Sequence, residues 1–204
     1  MARRNDHTRE ELKSLTLERA LKIVKNEGFQ KLTARRIAKE INYTPGTIYN
    51  MFGSMDGLYF ALNAHTLDKL FETIAAPEQY PAEATISENI KTIAKSYMDF
   101  AQNNKELWLM LFNMSFPTKD KAPDWYREKV QSILDILENL LAPLFSENQT
   151  REKAIAARTI WSSVHGIYLM EQTNKIGFMS DKSALDMAEC LIDNFIAGLQ
   201  QNAA

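Results

Sequence analysis

Leu32-Thr33-Ala34-Arg35-Arg36-Ile37-Ala38-Lys39-Glu40-Ile41-Asn42-Tyr43-Thr44-Pro45-Gly46-Thr47-Ile48-Tyr49-Asn50-Met51-Phe52 reads as two short helices joined by a tight turn. Thr33 is placed to cap the first, whose apolar positions Ile37, Ala38 and Ile41 follow helical spacing and give one buried face. Arg35, Arg36 and Lys39 fall on the outer side. Asn42-Tyr43 breaks the pattern. Thr44-Pro45 restarts it with a capping hydroxyl and a proline at the first helical position, where the missing N–H costs nothing.

In a helix-turn-helix the second helix enters the major groove through its N-terminal residues, so Pro45, Gly46 and Thr47 would approach base edges or the thymine methyl. Gly46 lacks the side chain that would hold the backbone away from the groove. Ile48 and Phe52, four apart, can anchor the helix, while Tyr49 points outward with a hydroxyl able to reach a phosphate. The same capped pair also fits an ordinary helical hairpin, since basic residues on short helices are common.

From about Arg9 to Leu62 the chain resembles the N-terminal domain of the tetracycline-repressor (TetR) family of bacterial transcription regulators. The resemblance rests on Asn26-Glu27-Gly28-Phe29 closing an amphipathic first helix and Leu32-Thr33-Ala34-Arg35-Arg36-Ile37-Ala38 opening the second. Thr44-Pro45-Gly46-Thr47-Ile48-Tyr49-Asn50-Met51-Phe52 forms the third, and Ser54 and Leu58 open a fourth. It implies that Arg35 and Thr47 contact phosphate or base, that Tyr49 contacts phosphate, and that Pro45, Gly46 and Met51 face the groove. Thr44 and Asn50 complete the expected DNA-contacting set. Two departures stand out. Met55 replaces the lysine usual after the serine of the fourth helix, and Met51, often histidine in the family, cannot hydrogen-bond a base edge.

With 204 residues, 45% hydrophobic and 25% charged, the chain is long enough for a real core. Its net charge of −2 conceals an asymmetry: residues 1–60 hold 11 Lys and Arg against 7 Asp and Glu, whereas residues 61–204 hold 13 against 19. A basic head on an acidic body suits an anionic polymer bound at one end. Arg3, Arg4 and Arg9 form a basic N-terminal arm that either reaches DNA or stays solvated. A single cysteine, Cys190, excludes an intrachain disulfide and a cysteine-based zinc cluster. No metal and no cofactor are expected. Without a long apolar run or a charged start before a short apolar core, neither a membrane span nor a secretory signal is expected, and the location expected is cytoplasmic.

Helical periodicity continues almost to the C-terminus, giving an all-α expectation. A three-helix helix-turn-helix DNA-binding domain would occupy residues 1–55, and a larger helical ligand-binding and dimerisation domain residues 56–204. Further helices are predicted from Asp56 to about Ala75, before Pro77 and Pro81, and from a Ser87 cap to about Asn103. Others run from Lys105 to about Phe116 before Pro117, from Asp124 to about Leu141, from Asn148 to about Asn174, and from Asp181 to about Gln201. The last two are apolar over a wide arc, through Ile160, Trp161, Val164, Ile167, Tyr168 and Met170 in one and Leu185, Ala188, Leu191, Ile192, Phe195 and Leu199 in the other. Such helices bury two faces. Both could be central in a monomer, or one face could meet an identical partner in an antiparallel four-helix contact about a two-fold axis. The family resemblance implies the second, a homodimer reading a palindromic operator in double-stranded DNA. The dimer surface is then expected at Trp161, Val164, Tyr168, Leu185, Ala188, Ile192, Phe195 and Leu199.

Trp108, Met110, Phe112, Met114, Phe116, Trp125 and Tyr126 form an aromatic and methionine-rich stretch that either lines an apolar cavity or forms core. The resemblance implies an effector pocket. Trp161-Ser162-Ser163-Val164-His165-Gly166 is similar to the Trp-x-x-x-His-Gly motif of one C-terminal subtype of the family. His165 could meet a ligand, sit satisfied in the core, or titrate near neutrality. Trp108, Phe112, Trp161 and His165 are the candidate pocket residues. Three histidines, His7, His65 and His165, without His-Glu-x-x-His, a glycine-rich phosphate loop or Gly-x-Ser-x-Gly, point away from an enzyme. Two functions remain: a ligand-responsive repressor released from its operator by a small, largely apolar effector, or a helical small-molecule carrier without DNA function.

Overall fold

The computed structural model describes residues 7–76, 80–81, 83–113, 122–179 and 181–203. Arg3, Arg4, Pro77, Met114, Phe116 and Pro117, each named above, lie outside them. Every regular element among the described residues is helical. Packing divides the chain into two units, Met1–Lys69 with Asn103–Arg127, and Leu70–Gln102 with Glu128–Ala204.

In the first unit, Thr8 starts helix α1 (Arg9–Glu27) with a reciprocal cap. Its hydroxyl accepts from the Glu11 N–H, and the Glu11 carboxylate accepts from the Thr8 N–H at 2.7 Å. Helix α2 (Ala34–Ile41) is capped by Thr33, whose hydroxyl accepts from the Arg36 N–H as expected. It ends at Asn42, a left-handed residue (φ 58°, ψ 42°) whose N–H closes onto Ala38 and Lys39. Helix α3 (Pro45–Phe52) has proline in its first turn. Thr44 stands before it, but its hydroxyl caps no backbone N–H and lies 3.2 Å from the Thr47 hydroxyl.

Gly53, with φ 76°, closes α3 through an N–H to the Tyr49 carbonyl, a conformation that disfavours a side chain. One residue later Ser54 caps α4 (Met55–Ile74) by accepting from the Gly57 N–H at 3.1 Å. The core beneath these helices gathers Ile23 and Val24 of α1, Ile37 and Ile41 of α2, Ile48 of α3, and Leu58 and Leu62 of α4. Leu107 and Met110, from α6 (Lys105–Asn113), complete it, and α6 packs along α1. Burial on this scale is what holds short helices such as α2 and α3, which would be marginal alone.

The second unit contains α5 (Ile86–Asn103), up to Gln102, and most of α7 (Asp124–Leu141). It also holds α8 (Thr150–Gln172), the short α9 (Lys175–Met179) and α10 (Ala184–Ala203). Thr85, rather than Ser87, caps α5: it exchanges hydrogen bonds with Glu88, leaving the Ser87 hydroxyl to donate to Asp193 at 2.7 Å. The same carboxylate takes Lys91 at 2.7 Å, so α10 is tied to α5 by charge as well as packing. Ser183 caps α10 by a reciprocal pair with Asp186. The strongest packing here is α8 on α10. No described helix is long and apolar enough to cross a membrane.

Candidate nucleic-acid interface

Helix α3 sorts its residues by the angle at which each leaves the axis. Ile48 is fully buried and fixes the inner face, and Met51 and Phe52, three and four residues on, pack partly against the same core. Met51 is half-buried, as Pro45 and Thr47 are, with its side chain partly packed on that core. Its spacing from Ile48 is the reason. The outer face is left to Gly46, Tyr49 and Asn50, all exposed, with Tyr49 at 46%. Pro45 and Thr47 lie at the edges, half-buried, and Thr44 is exposed at the entry.

On α2, Arg35 is exposed and makes no ion pair among the described residues. Arg36 is not: it holds Glu27 at 2.9 Å and Glu40 at 2.6 Å, and these two carboxylates keep its guanidinium above the ordinary arginine value. Two adjacent arginines thus have different work, one tying α2 to α1, the other presented outward. Met55 is half-buried and packs on the head's core, so the position where a lysine was expected contributes apolar contact.

The aromatic candidates divide between the two units. In the first, Trp108 is fully buried with its ring 5.2 Å from that of Phe112 and tilted by 51°, and Phe112 is exposed. Tyr126 meets Phe60 at 5.0 Å, and burial pushes its phenol up to about 12, an effect that the Asn63 amide opposes in part. Asn63 itself is fully buried, and neither its oxygen nor its nitrogen makes a hydrogen bond of normal geometry among the described residues.

In the second unit, Tyr97 is buried with its hydroxyl 2.7 Å from His165 Nδ1 and its ring 4.8 Å from that of Trp161. Burial lowers the His165 pKa. Trp161 and Val164 border a cavity of about 10 Å³, room for a single water and for no larger ligand in this conformation.

Half of the residues expected at a dimer surface turn inward. Val164, Tyr168, Ala188 and Ile192 are buried within the chain, Val164 beside Tyr97 and Leu137 and Tyr168 with its ring 6.3 Å from that of Tyr97, whereas Trp161, Leu185, Phe195 and Leu199 are half-buried. The outward stripe of α8 runs instead through Ile155, exposed at 53%, Ser162, Gly166 and Leu169. A Cβ built on Gly166, or on Gly198 of α10, would meet nothing within 4 Å.

A capped α2, a left-handed turn and an α3 anchored by one isoleucine with its opposite face bare define a helix-turn-helix DNA-binding unit. Residues 17–62 match the family profile described as bacterial regulatory proteins, tetR family, and residues 90–195 match that of the tetracyclin repressor-like C-terminal domain. The chain belongs to the TetR family of transcriptional regulators. No curated protein matches the sequence.

Among solved structures, the chain is similar to a protein of unknown function from Rhodococcus sp. RHA1, at 19% identity and a TM-score of 0.70, covering 98% of this chain and 100% of that one. A TetR-like transcriptional regulator from the same organism is also 19% identical, with a TM-score of 0.59, covering 93% and 96%. A TetR transcriptional regulator from Legionella pneumophila is 17% identical, with a TM-score of 0.59, covering 89% and 95%. Identities this low establish a shared fold.

Proposed function

We propose that the protein is a ligand-responsive repressor that occupies a palindromic operator as a homodimer and is released by a small, largely apolar effector. The observation that carries the reading is the bare outer face of α3, Gly46, Tyr49 and Asn50, held over a core through Ile48. Arg35 and Tyr49 supply phosphate contacts, Thr44, Pro45, Gly46, Thr47 and Asn50 approach the bases or their flanks, and the basic balance of residues 1–60 steers the head to DNA. The protein acts in the cytoplasm and catalyses no reaction.

Dimerisation is supported by the outward stripe of α8, where Gly166 lets a second helix approach and Ile155 and Leu169 are exposed. Two heads in one dimer read two half-sites, and each raises the effective concentration of the other. Helix α4 starts in the first unit and ends in the second, so a ligand that prefers one of its positions changes the spacing of the heads. Such a ligand must bind the DNA-incompetent form more tightly, since equal affinity shifts nothing. Its contacts are to be sought either at Trp108 and Phe112 within the first unit or at Trp161 and His165 within the second.

Selection of bound sequences from a random duplex pool tests this directly, with Thr47→Ala and Tyr49→Ala in parallel. A palindrome recovered by the wild type and lost in folded variants is the expected result; recovery of no motif overturns the reading.

A further inference from the structure

His7 stands immediately before the cap of α1, and its Nδ1 lies 3.1 Å from the hydroxyl of Tyr43, with the two rings 6.2 Å apart and tilted by 54°. Tyr43 is the last residue of the turn before Thr44 and α3, and its N–H is fixed to the Ala38 carbonyl at 2.9 Å. Its ring packs partly on the head's core. The imidazole is exposed. A rigid turn thus holds the entry of α1 beside the entry of the recognition helix.

We infer that His7, oriented by Tyr43, is a further phosphate-binding residue of the reading head. The inference rests on the regulator reading above. When the Tyr43 hydroxyl donates to Nδ1, the ring proton sits on Nε2, which then points a donor away from the protein. When the ring is doubly protonated, Nδ1–H donates to the Tyr43 oxygen and Nε2–H remains a donor, now carrying charge. Either way an N–H faces solvent next to the start of a helix whose N-terminal residues approach the groove, where the flanking backbone phosphates lie. The acidic group facing the imidazole from α1 is Glu11, and its carboxylate is already engaged by the Thr8 N–H. Tyr43 acts here as a positioning residue, since its hydroxyl is taken up by the ring it aims.

The test uses the full chain on a duplex carrying the selected operator, comparing wild type with His7→Ala, His7→Gln and Tyr43→Phe. Readouts are affinity, interference by phosphate ethylation, and thermal melting. His7→Ala is expected to weaken binding about tenfold, as loss of a hydrogen bond to a charged group does. It should erase one interference position in each half-site while the melt stays unchanged. Gln, which keeps a donor, should restore part of both, and Tyr43→Phe should fall between.

An interference pattern identical in wild type and His7→Ala overturns the inference, whatever the change in affinity. Failure of the wild type to retain any duplex overturns the regulator reading and this inference with it.

Discussion

The carbonyl oxygen of Phe52 lies 2.1 Å from the point where a Cβ on Gly57 would sit. The last residue of α3 and the first turn of α4 are therefore in contact through backbone, and no side chain fits between them. Gly57→Ala must push α3 away from α4. An overpacked junction of this kind costs about 1–3 kcal/mol. Denaturant unfolding should show that loss, and operator binding should fall further than the stability change explains, because the displaced element is the reading helix.

Gly166 and Gly198 predict the opposite for the isolated chain, since both have open space around the missing side chain. Replacing either helical glycine by alanine should stabilise the protomer by about 0.5–1 kcal/mol. A larger side chain at the same place reports on the partner. Gly166→Leu should keep its helical content and sediment as a monomer; a dimer of unchanged affinity would place the partner on another surface.

Arg35 and Arg36 are neighbours in sequence with separate duties, and the difference is measurable. Arg35→Ala should lower operator affinity and reduce the slope of log affinity against log salt by about one per phosphate contact removed. Arg36→Ala should leave that slope unchanged, because its guanidinium is occupied by Glu27 and Glu40.

His165 carries a pH dependence whose sign follows from burial. Its folded pKa lies below the ordinary 6.5, so between the two values the unfolded chain binds a proton that the folded chain does not. Stability from this group is present above about pH 6.5 and is lost as pH falls through the folded value. Melting temperatures of wild type should drop across that window more steeply than those of His165→Gln, which retains a partner for the Tyr97 hydroxyl. Parallel curves would show that the ring titrates as it does in the unfolded chain.

The buried amide of Asn63 predicts a stabilising substitution. A polar group held away from water without a hydrogen bond of normal geometry, as Asn63 is among the described residues, costs about 1–3 kcal/mol, and leucine of similar size removes that cost. Asn63→Leu should raise the melting temperature by about 2–6 °C. A lower melting temperature would mean that the amide is satisfied in solution.

The reading head was legible because its signals are local. Thr33, Asn42 and Pro45 mark boundaries by backbone chemistry, and the spacing of Ile37, Ile41 and Ile48 fixes which sides are buried. At Met51 two signals pull apart: family position points to the groove, while its three-residue spacing from Ile48 half-buries it against the core. Thr85 was within reach, since Thr85-Ile86-Ser87-Glu88 is a capping-box pattern that outweighs the lone hydroxyl of Ser87. The α8 and α10 residues were of another kind. A helix apolar on two sides does not say which side its own chain covers, and Val164 and Ile192 look the same in sequence as Ile155 and Leu169. Nor does any periodicity announce that α6 packs on α1, because that pairing joins segments far apart in the chain.

That pairing has a consequence for how the protein is made and how it can be re-engineered. The head's core borrows Leu107 and Met110 from a segment that follows α5. On the ribosome, the DNA-reading end cannot finish folding when its own helices emerge; it waits until α6 has left the exit tunnel. By the same token, a head excised after α4 and grafted onto another regulator would arrive with an open seam along α1. Chimeras that carry α6 with α1 through α4 should express as soluble protein where simple N-terminal swaps aggregate.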